Sequence, residues 1–556
     1  MLRRAPLCLL IALTLLAAPV AAVQIVEFCP DPYRAGEPDE YFVLEAEGSL
    51  DGVAVTDGEG TLKFPPNSMA TGQVTVAREA TGFLRTHGRL PDYEILDTDP
   101  TVSGVLGGGR FRLANKEDSI ALLIDGATVQ EVEWPEDVEA REGQVHFLEG
   151  GVWDPHPRLL GQSRFFPETF ENATVTLFVS PDCSYEVFES ALGTAKKRVE
   201  VNVYEFTHPG IAAMLAEAGD RGVEVSVLLE GGPVGGISPE EEAVAATLTA
   251  HGAEVRMMTS TPEAHAKYRF DHAKYFVVDN ESVLITSENF KPSGIPEPGM
   301  RGNRGWGAWV EDTRVARYFA TVYRWDTRGG DIAAAPTGGR PGEDGGYEEY
   351  DPAFSPLTVR GARVTPILAP ETSSMVVNLI AEADEQVLIE QASIRNSTAG
   401  GPNRFLAAAI DAARRGVEVR VLLDAAWFNV EGAKDNDEMV TWINEVARTE
   451  KLPLEARCID LDAAGLVKVH TKGVIVDNSS VLISSINWND NSADFNREAG
   501  VIIEHPEAAG YFVAAFEADW EAGGQTLNET YDSRLIWAAG IVFVFFILYL
   551  LRRKRR

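Results

Sequence analysis

His272, Lys274 and Asp279 recur as His470, Lys472 and Asp477, each 198 positions later, and the Ser287-x-Asn289 after the first set recurs at the same distance as Ser485-x-Asn487. A polar pattern kept in register over two copies constrains the chain to fold as two like halves of one site. The duplication reaches beyond the motif, since "RGVEVSVLLEG" before the first copy matches "RGVEVRVLLDA" before the second. Around both copies, apolar strand-like runs alternate with amphipathic helical runs, the texture of an α/β fold. The halves extend over 174–328 and 353–524, and the Gly-, Pro- and acid-rich stretch 329–352 between them reads as a solvated linker.

Within each motif, strand parity sets His272 and Lys274 on one face and Asp279 on the other, and the same holds for His470, Lys472 and Asp477. The aspartates are therefore expected to act in positioning and folding. A two-residue hairpin loop at Asn280-Glu281 would set Lys274 opposite Ser287 and His272 opposite Asn289. A loop at Asn478-Ser479 would pair Lys472 with Ser485 and His470 with Asn487. His265-Ala-Lys267 repeats the His-x-Lys opening but has His272 where the aspartate should stand, so it is set aside.

The chain has 556 residues, enough for several cores. Residues 24–153 contain short alternating runs such as "EYFVLEA" and "IALLIDG" between Gly-, Asp- and Pro-rich turns, the pattern of an all-β immunoglobulin-like sandwich. Residues 1–22 read as a secretory signal peptide: Arg3 and Arg4, then a short apolar run, then small residues to Ala22. Residues 535–551 are uncharged and mostly apolar, about 25 Å as a helix, and read as a transmembrane span. The basic tail 552–556 places its end in the cytoplasm and the remainder outside. The fold class expected is thus multidomain, with a β-sandwich, a duplicated α/β domain and a C-terminal transmembrane helix.

The net charge of −35 disfavours broad nucleic-acid binding, which needs many cationic contacts to phosphate. Cys29, Cys183 and Cys458 lack the spacing of a zinc site, and an oxidising compartment permits one bridge among them. Sequons stand at Asn172, Asn280, Asn396, Asn478 and Asn528, of which Asn280 and Asn478 fit turns better.

The paired H-x-K-x-x-x-x-D motifs, each followed by Ser-x-Asn, resemble the phospholipase D superfamily over about Thr174 to Gly524. "EYFVLEAEGSLDGVAVTDGEGTLKFPP" with "LANKEDSIALLIDG" resembles the lamin-tail domain. The first resemblance implies a phosphodiesterase that works through a phosphohistidine, with His272 as nucleophile and His470 as acid. Lys274 and Lys472 would neutralise the phosphate, with no metal and no cofactor, and Ser287, Asn289, Ser485 and Asn487 would add hydrogen bonds. The family often holds its histidine with a carboxylate just after an Asn. "NREAG" supplies Glu498 to the second half, whereas "NRGWG" has Gly305 there, leaving His272 to a backbone carbonyl or to a residue of the other half. The substrate expected is a phospholipid, acted on by a monomer anchored in the cell membrane. A nuclease is the alternative enzyme, and a surface-binding protein with a relic catalytic domain the alternative of another class.

Overall fold

The computed structural model describes residues 23–522 except 108–109, 135–141, 263, 341–347 and 433–434. The expected signal peptide and transmembrane span lie outside these residues. Among the described residues, no helix is long and apolar enough to cross a membrane. The chain divides into two compact units at Gly161/Gln162.

The first unit holds a seven-stranded and a four-stranded sheet. Phe28, Phe42 and Leu44 of the larger sheet and Val55, Leu62, Ile120 and Leu122 of the smaller are buried in one core. It is not all-β. A helix, Ala80–His87, carries the chain from Met69–Glu79 to Tyr93–Leu96, which therefore pair in parallel. A hairpin could not give that pairing.

The second unit is a doubled α/β fold. Its two long strands, Phe170–Ser180 and Leu357–Ala369, pair antiparallel at the centre, and strand order mirrors itself outward from them. Gly305–Glu311, Ser282–Thr286, Lys274–Val278, Arg198–Val203, Glu224–Glu230 and Glu254–Met258 follow on one side. Glu498–Glu504, Ser480–Ser484, Lys472–Val476, Gln386–Gln391, Glu418–Leu423 and Leu454–Cys458 follow on the other. Each motif strand is buried throughout, which is why "KYFVV" and "KGVIV" are apolar after the lysine.

Each half has its own core beneath its helices, and a third core joins them. There Tyr275, Ile285 and Trp306 meet Ile475, Ile483 and Ala499. The joint is close-fitting: the Trp306 indole lies over Gly473, where a Cβ would stand 2.3 Å from the ring. Gly473 is thus the residue that lets the half-sheets approach.

The hairpin register differs from the expectation by one residue. Tyr275 pairs with Ile285 and Val278 with Ser282, so the loop is Asp279-Asn280-Glu281 and Lys274 faces Thr286. Gly473 likewise pairs with Ile483, which puts Lys472 opposite Ser484. The physical reason is that both Asp279 and Asn280 (φ 56°) and both Asp477 and Asn478 (φ 49° and 51°) are left-handed, so the aspartate leaves the ladder. Its carboxylate instead accepts three successive main-chain N–H groups at the start of a neighbouring strand. Asp279 takes those of Lys196, Lys197 and Arg198, and Asp477 those of Asp384, Glu385 and Gln386, all at 2.8–2.9 Å. Partial burial raises both carboxyls, but these N–H groups outweigh it and the net shift is downward.

The expected linker is partly structured. Ile332–Ala334 adds a strand beside Glu254–Met258, and Tyr350 donates from its hydroxyl to Asp182, which also accepts the N–H groups of Ala353 and Phe354. Cys29, Cys183 and Cys458 are free thiols rather than a bridge. Lys267 is a structural cation, bonded to Asp331 at 2.9 Å and to the Arg328 carbonyl at 2.6 Å.

Asp279→Ala or Asp477→Ala removes a charged acceptor from three N–H groups, and each is expected to cost on the order of 2 kcal/mol of stability and to lower activity with it. Thermal unfolding and turnover of the same preparations check this. Lost turnover with an unchanged melting curve would contradict a positioning role.

Candidate active site

Each histidine is placed by the opposite half. Short parallel bridges join Asp271 to Arg497 and Arg304 to Val469, and through them the His272 N–H donates to the Arg497 carbonyl and the His470 N–H to the Arg304 carbonyl, both at 2.8 Å. The two arginines are buried and pinned. Arg304 reaches Asp182 at 2.6 Å in its own half and Asp519 at 2.7 Å in the other. Arg497 reaches Glu371 at 3.0 Å in its own half, and Asp326 at 2.9 Å in the other. Tyr268 and Ser163 also bond to Arg497.

Glu498, the residue after Arg497, thereby stands against His272 rather than against the histidine of its own half. Its Oε2 is 2.8 Å from His272 Nδ1 and accepts the Ser485 hydroxyl at 2.6 Å, while its Oε1 accepts Ser492 and Asn496. Burial raises this carboxyl, but His272, Lys274 and the hydrogen bonds outweigh it, and the net shift is downward. An ionised carboxylate can only accept, so Nδ1 of His272 carries the proton and Nε2 holds the lone pair. Burial depresses the His272 ring itself.

The first half does supply a carboxylate, from a position the sequence comparison passes over. Glu288, the middle residue of Ser287-x-Asn289, is buried and brings Oε2 to 3.4 Å from His470 Nδ1, while accepting Asn303 Nδ2 at 2.9 Å. Asn303 and Asn496 each hold one carboxylate, Asn303 by the Glu288 oxygen that faces His470 and Asn496 by the Glu498 oxygen turned away from His272. Gly305 makes the arrangement possible, because a Cβ there would lie 2.4 Å from Glu288 Cγ. Where the second half has Ile486 and Glu498, the first has Glu288 and Gly305. The signal for it was a lone acid in one copy of a motif whose other copy has isoleucine.

The two histidine pairs differ electrically. Burial pushes the Glu288 carboxyl up to about 7, against the pull of Lys468 and Lys472. His470 is held well below its usual value by burial and by Lys472, Lys468 and Lys274, with His272 also contributing. Burial brings Lys274 down to about 8, and burial with Lys274 beside it holds Lys472 well below the usual lysine range. Each lysine donates to the carbonyl of its own histidine, at 2.6 Å and 2.7 Å. Lys274 depresses His272, His470 and Lys472, and Lys472 depresses both histidines, so the four side chains share one field of positive charge that an anion would relieve.

Of the expected substrate donors, Ser485 is spent on Glu498, and Asn289 donates to Glu205 at 2.9 Å. Ser287 accepts the Trp306 N–H, and the Asn487 N–H donates to Ser492. Ser485 and Asn289 thus brace the site with their side chains, whereas these bonds leave the Ser287 hydroxyl proton and the Asn487 side-chain amide unspent. Asp279 and Asp477 lie away from it, at the hairpin loops. Tyr204, not foreseen, packs edge-on to His272 with ring centroids 4.8 Å apart. Among the described residues, no group of three His, Cys, Asp or Glu side chains is placed to hold a metal ion.

The family described as "Cardiolipin synthase, PLD-like domain" matches residues 188–327 and 376–520, one stretch in each half. No curated protein matches the chain. Among solved structures, phosphatidylserine synthase of Haemophilus influenzae is similar with 13% identity and a TM-score of 0.48, over 67% of this chain and 94% of that one. The phospholipase D family member Nuc of Salmonella typhimurium is similar with 21% identity and a TM-score of 0.24, over 31% and 100%. NucT of Helicobacter pylori shows 18% identity and a TM-score of 0.24, over 29% and 98%.

Two expectations follow. Gly305→Glu alone should crowd Glu288 and sharply reduce turnover, as should Glu288→Ile, whereas the double variant recreates the Ile486/Glu498 arrangement and should recover much of the loss. Steady-state kinetics on the three proteins check this, and no recovery in the double variant would contradict it. Because the Lys274 value lies near 8, below the usual lysine range, its charge is lost as pH rises through that value, so kcat/KM should fall by about tenfold per pH unit above it. A flat alkaline limb would show that this charge is not used.

Proposed function

The chain belongs to the phospholipase D superfamily, and we propose that it is a membrane-anchored, extracellular phosphodiesterase that acts on phospholipids through a phosphohistidine, by hydrolysis or phosphatidyl transfer. The observation that carries the chemistry is the crossed pairing of His272 with Glu498 and of His470 with Glu288 around two buried lysines. The anchor and the outward orientation rest on the sequence at the two ends of the chain.

His272 is the nucleophile in this reading. Its Nε2 lone pair attacks phosphorus, forming a P–N bond, while the P–O bond to the leaving alcohol breaks. The ring gains positive charge as it attacks, and the ionised Glu498 on Nδ1 stabilises that charge. His470 delivers its Nε2 proton to the departing oxygen. The lowered pKa of His470 makes this acid dependent on the substrate, since a phosphodiester anion placed among the lysines raises the histidine toward its protonated form. Water or a second alcohol then gives its proton to His470 and attacks phosphorus, and the P–N bond breaks to restore His272. Lys274 and Lys472 carry the charge of the non-bridging oxygens throughout.

Phospholipid is favoured over nucleic acid by the net charge of −35, which opposes a long polyanion but not a single phosphodiester. A buried carboxylate beside each histidine weighs against a relic site.

With an activated leaving group, His470→Ala should accumulate phosphohistidine on His272, because such a group needs little protonation, and His272→Ala should accumulate none. Mass spectrometry of rapidly quenched peptides reads the position. Phosphorus on His470 in the His272→Ala protein would reverse the roles. Phospholipid left unconverted under conditions where single-stranded DNA is cleaved would overturn the substrate.

A further inference from the structure

Two loops frame the site from opposite halves, and both turn apolar side chains outward. Glu230 and Asp424 occupy equivalent ends of the parallel strands next to Arg198–Val203 and Gln386–Gln391. Each carboxylate accepts the N–H of the residue just before a histidine, Asp271 at 2.5 Å and Val469 at 2.7 Å. From these anchors the chain enters the loops 231–237 and 425–432. In the first, the Val234 N–H donates to the Tyr204 hydroxyl at 2.7 Å, on the ring that packs against His272, while the Val234 side chain is 82% exposed. In the second, Trp427 and Phe428 are 68% and 50% exposed and meet edge-to-face with centroids 5.6 Å apart. Lys468, two residues before His470, brings its Nζ to 5.8 Å from the Phe428 ring, and Val467 beside it is also exposed. Of the six exposed large hydrophobics among the described residues of the second unit, these are four; the others are Phe166 and Trp325.

We propose that these loops form an interfacial rim that enters the surface of a lipid aggregate and holds a headgroup phosphodiester over the histidines; this rests on the phospholipid reading above. Its composition selects the occupant. Trp427 and Phe428 would accept a stacked base as readily as a lipid, but Val234 and Val467 gain only from an apolar medium, and the net charge of −35 opposes a nucleic-acid strand. An aromatic pair with a lysine at its edge suits the boundary between acyl chains and headgroups, where aromatic and aliphatic side chains are buried and the ammonium stays at the phosphate level. The equivalent origin of the loops puts one apolar contact on each side of the site, so insertion would centre the site on the lipid surface.

The test uses the full chain, made inactive by His272→Ala and freed by Cys8→Ser and Cys458→Ser of Cys8 and of the one partly accessible thiol among the described residues, in phosphatidylcholine vesicles containing nitroxide-labelled lipid. An environment-sensitive fluorophore is attached at Phe428→Cys, at Val234→Cys or, as a control carried on the same anchored chain, at Trp325→Cys. The rim predicts blue-shifted, severalfold quenched emission at the first two positions and neither effect at the third. Emission at 428 and 234 no different from that at 325 would overturn it. A response to a single-stranded oligonucleotide with none to vesicles would also overturn it, in favour of a nucleic-acid surface. A second readout is the gain in rate as a short-chain phosphatidylcholine passes from dispersed to aggregated, which Trp427→Ala with Phe428→Ala should reduce severalfold and an unchanged gain would contradict. Failure to convert any phospholipid would overturn the proposed function, while quenching would still decide whether the rim inserts.

Discussion

The hydrogen bond between His272 Nδ1 and Glu498 Oε2 spans 226 residues of sequence and couples the two halves into one reactive unit. It exists because Arg497, the residue before Glu498, is fixed within the second unit by Glu371 from its own half and Asp326 from the other, while its carbonyl holds the backbone of His272. Arg304 does the same for His470 through Asp182 and Asp519. A buried pair of this kind adds little net stability, but losing one partner leaves an uncompensated charge, typically costing about 3–5 kcal/mol. The pins therefore act through rigidity: neither histidine can shift without disturbing a buried ion cluster made from both halves.

The symmetry that builds the site is broken where the chemistry needs it broken. Exchanging Ile486 and Glu498 for Glu288 and Gly305 keeps a carboxylate at each histidine but changes its character. Glu498 has four hydrogen-bond partners and stays ionised, suited to a ring that must become positive as it attacks. Glu288 is more weakly supported and titrates near 7, close to the range in which its histidine must gain and lose a proton. Two groups whose environments separate their protonation can take the opposed roles of nucleophile and acid.

Much of this was legible in the sequence. The 198-residue repeat pointed to the histidines and lysines that the fold brings together and to the doubled α/β architecture. The aspartates do lie away from the site, but because both leave the ladder in left-handed turns rather than through strand parity, and the separate hairpin register was off by one. Two consecutive left-handed residues at Asp279 and Asn280 are a conformational choice that alternation does not encode. The crossing of Glu498 to His272 was open because it depends on a main-chain bridge between distant segments. Glu288 was missed because a motif is read for what its copies share, and here the informative residue is one they do not. The bracing roles of Ser485 and Asn289 follow from neighbours supplied by tertiary structure alone.

Both histidines are proposed to share one phosphoryl site, with bond formation at His272. A crystal structure of the protein with vanadate measures it most directly. A single vanadate bonded to His272 Nε2 is expected, with His470 Nε2 facing the opposite apical oxygen and both lysines on the equatorial oxygens. Vanadate bonded to His470, or separate anions at the two histidines, would contradict this.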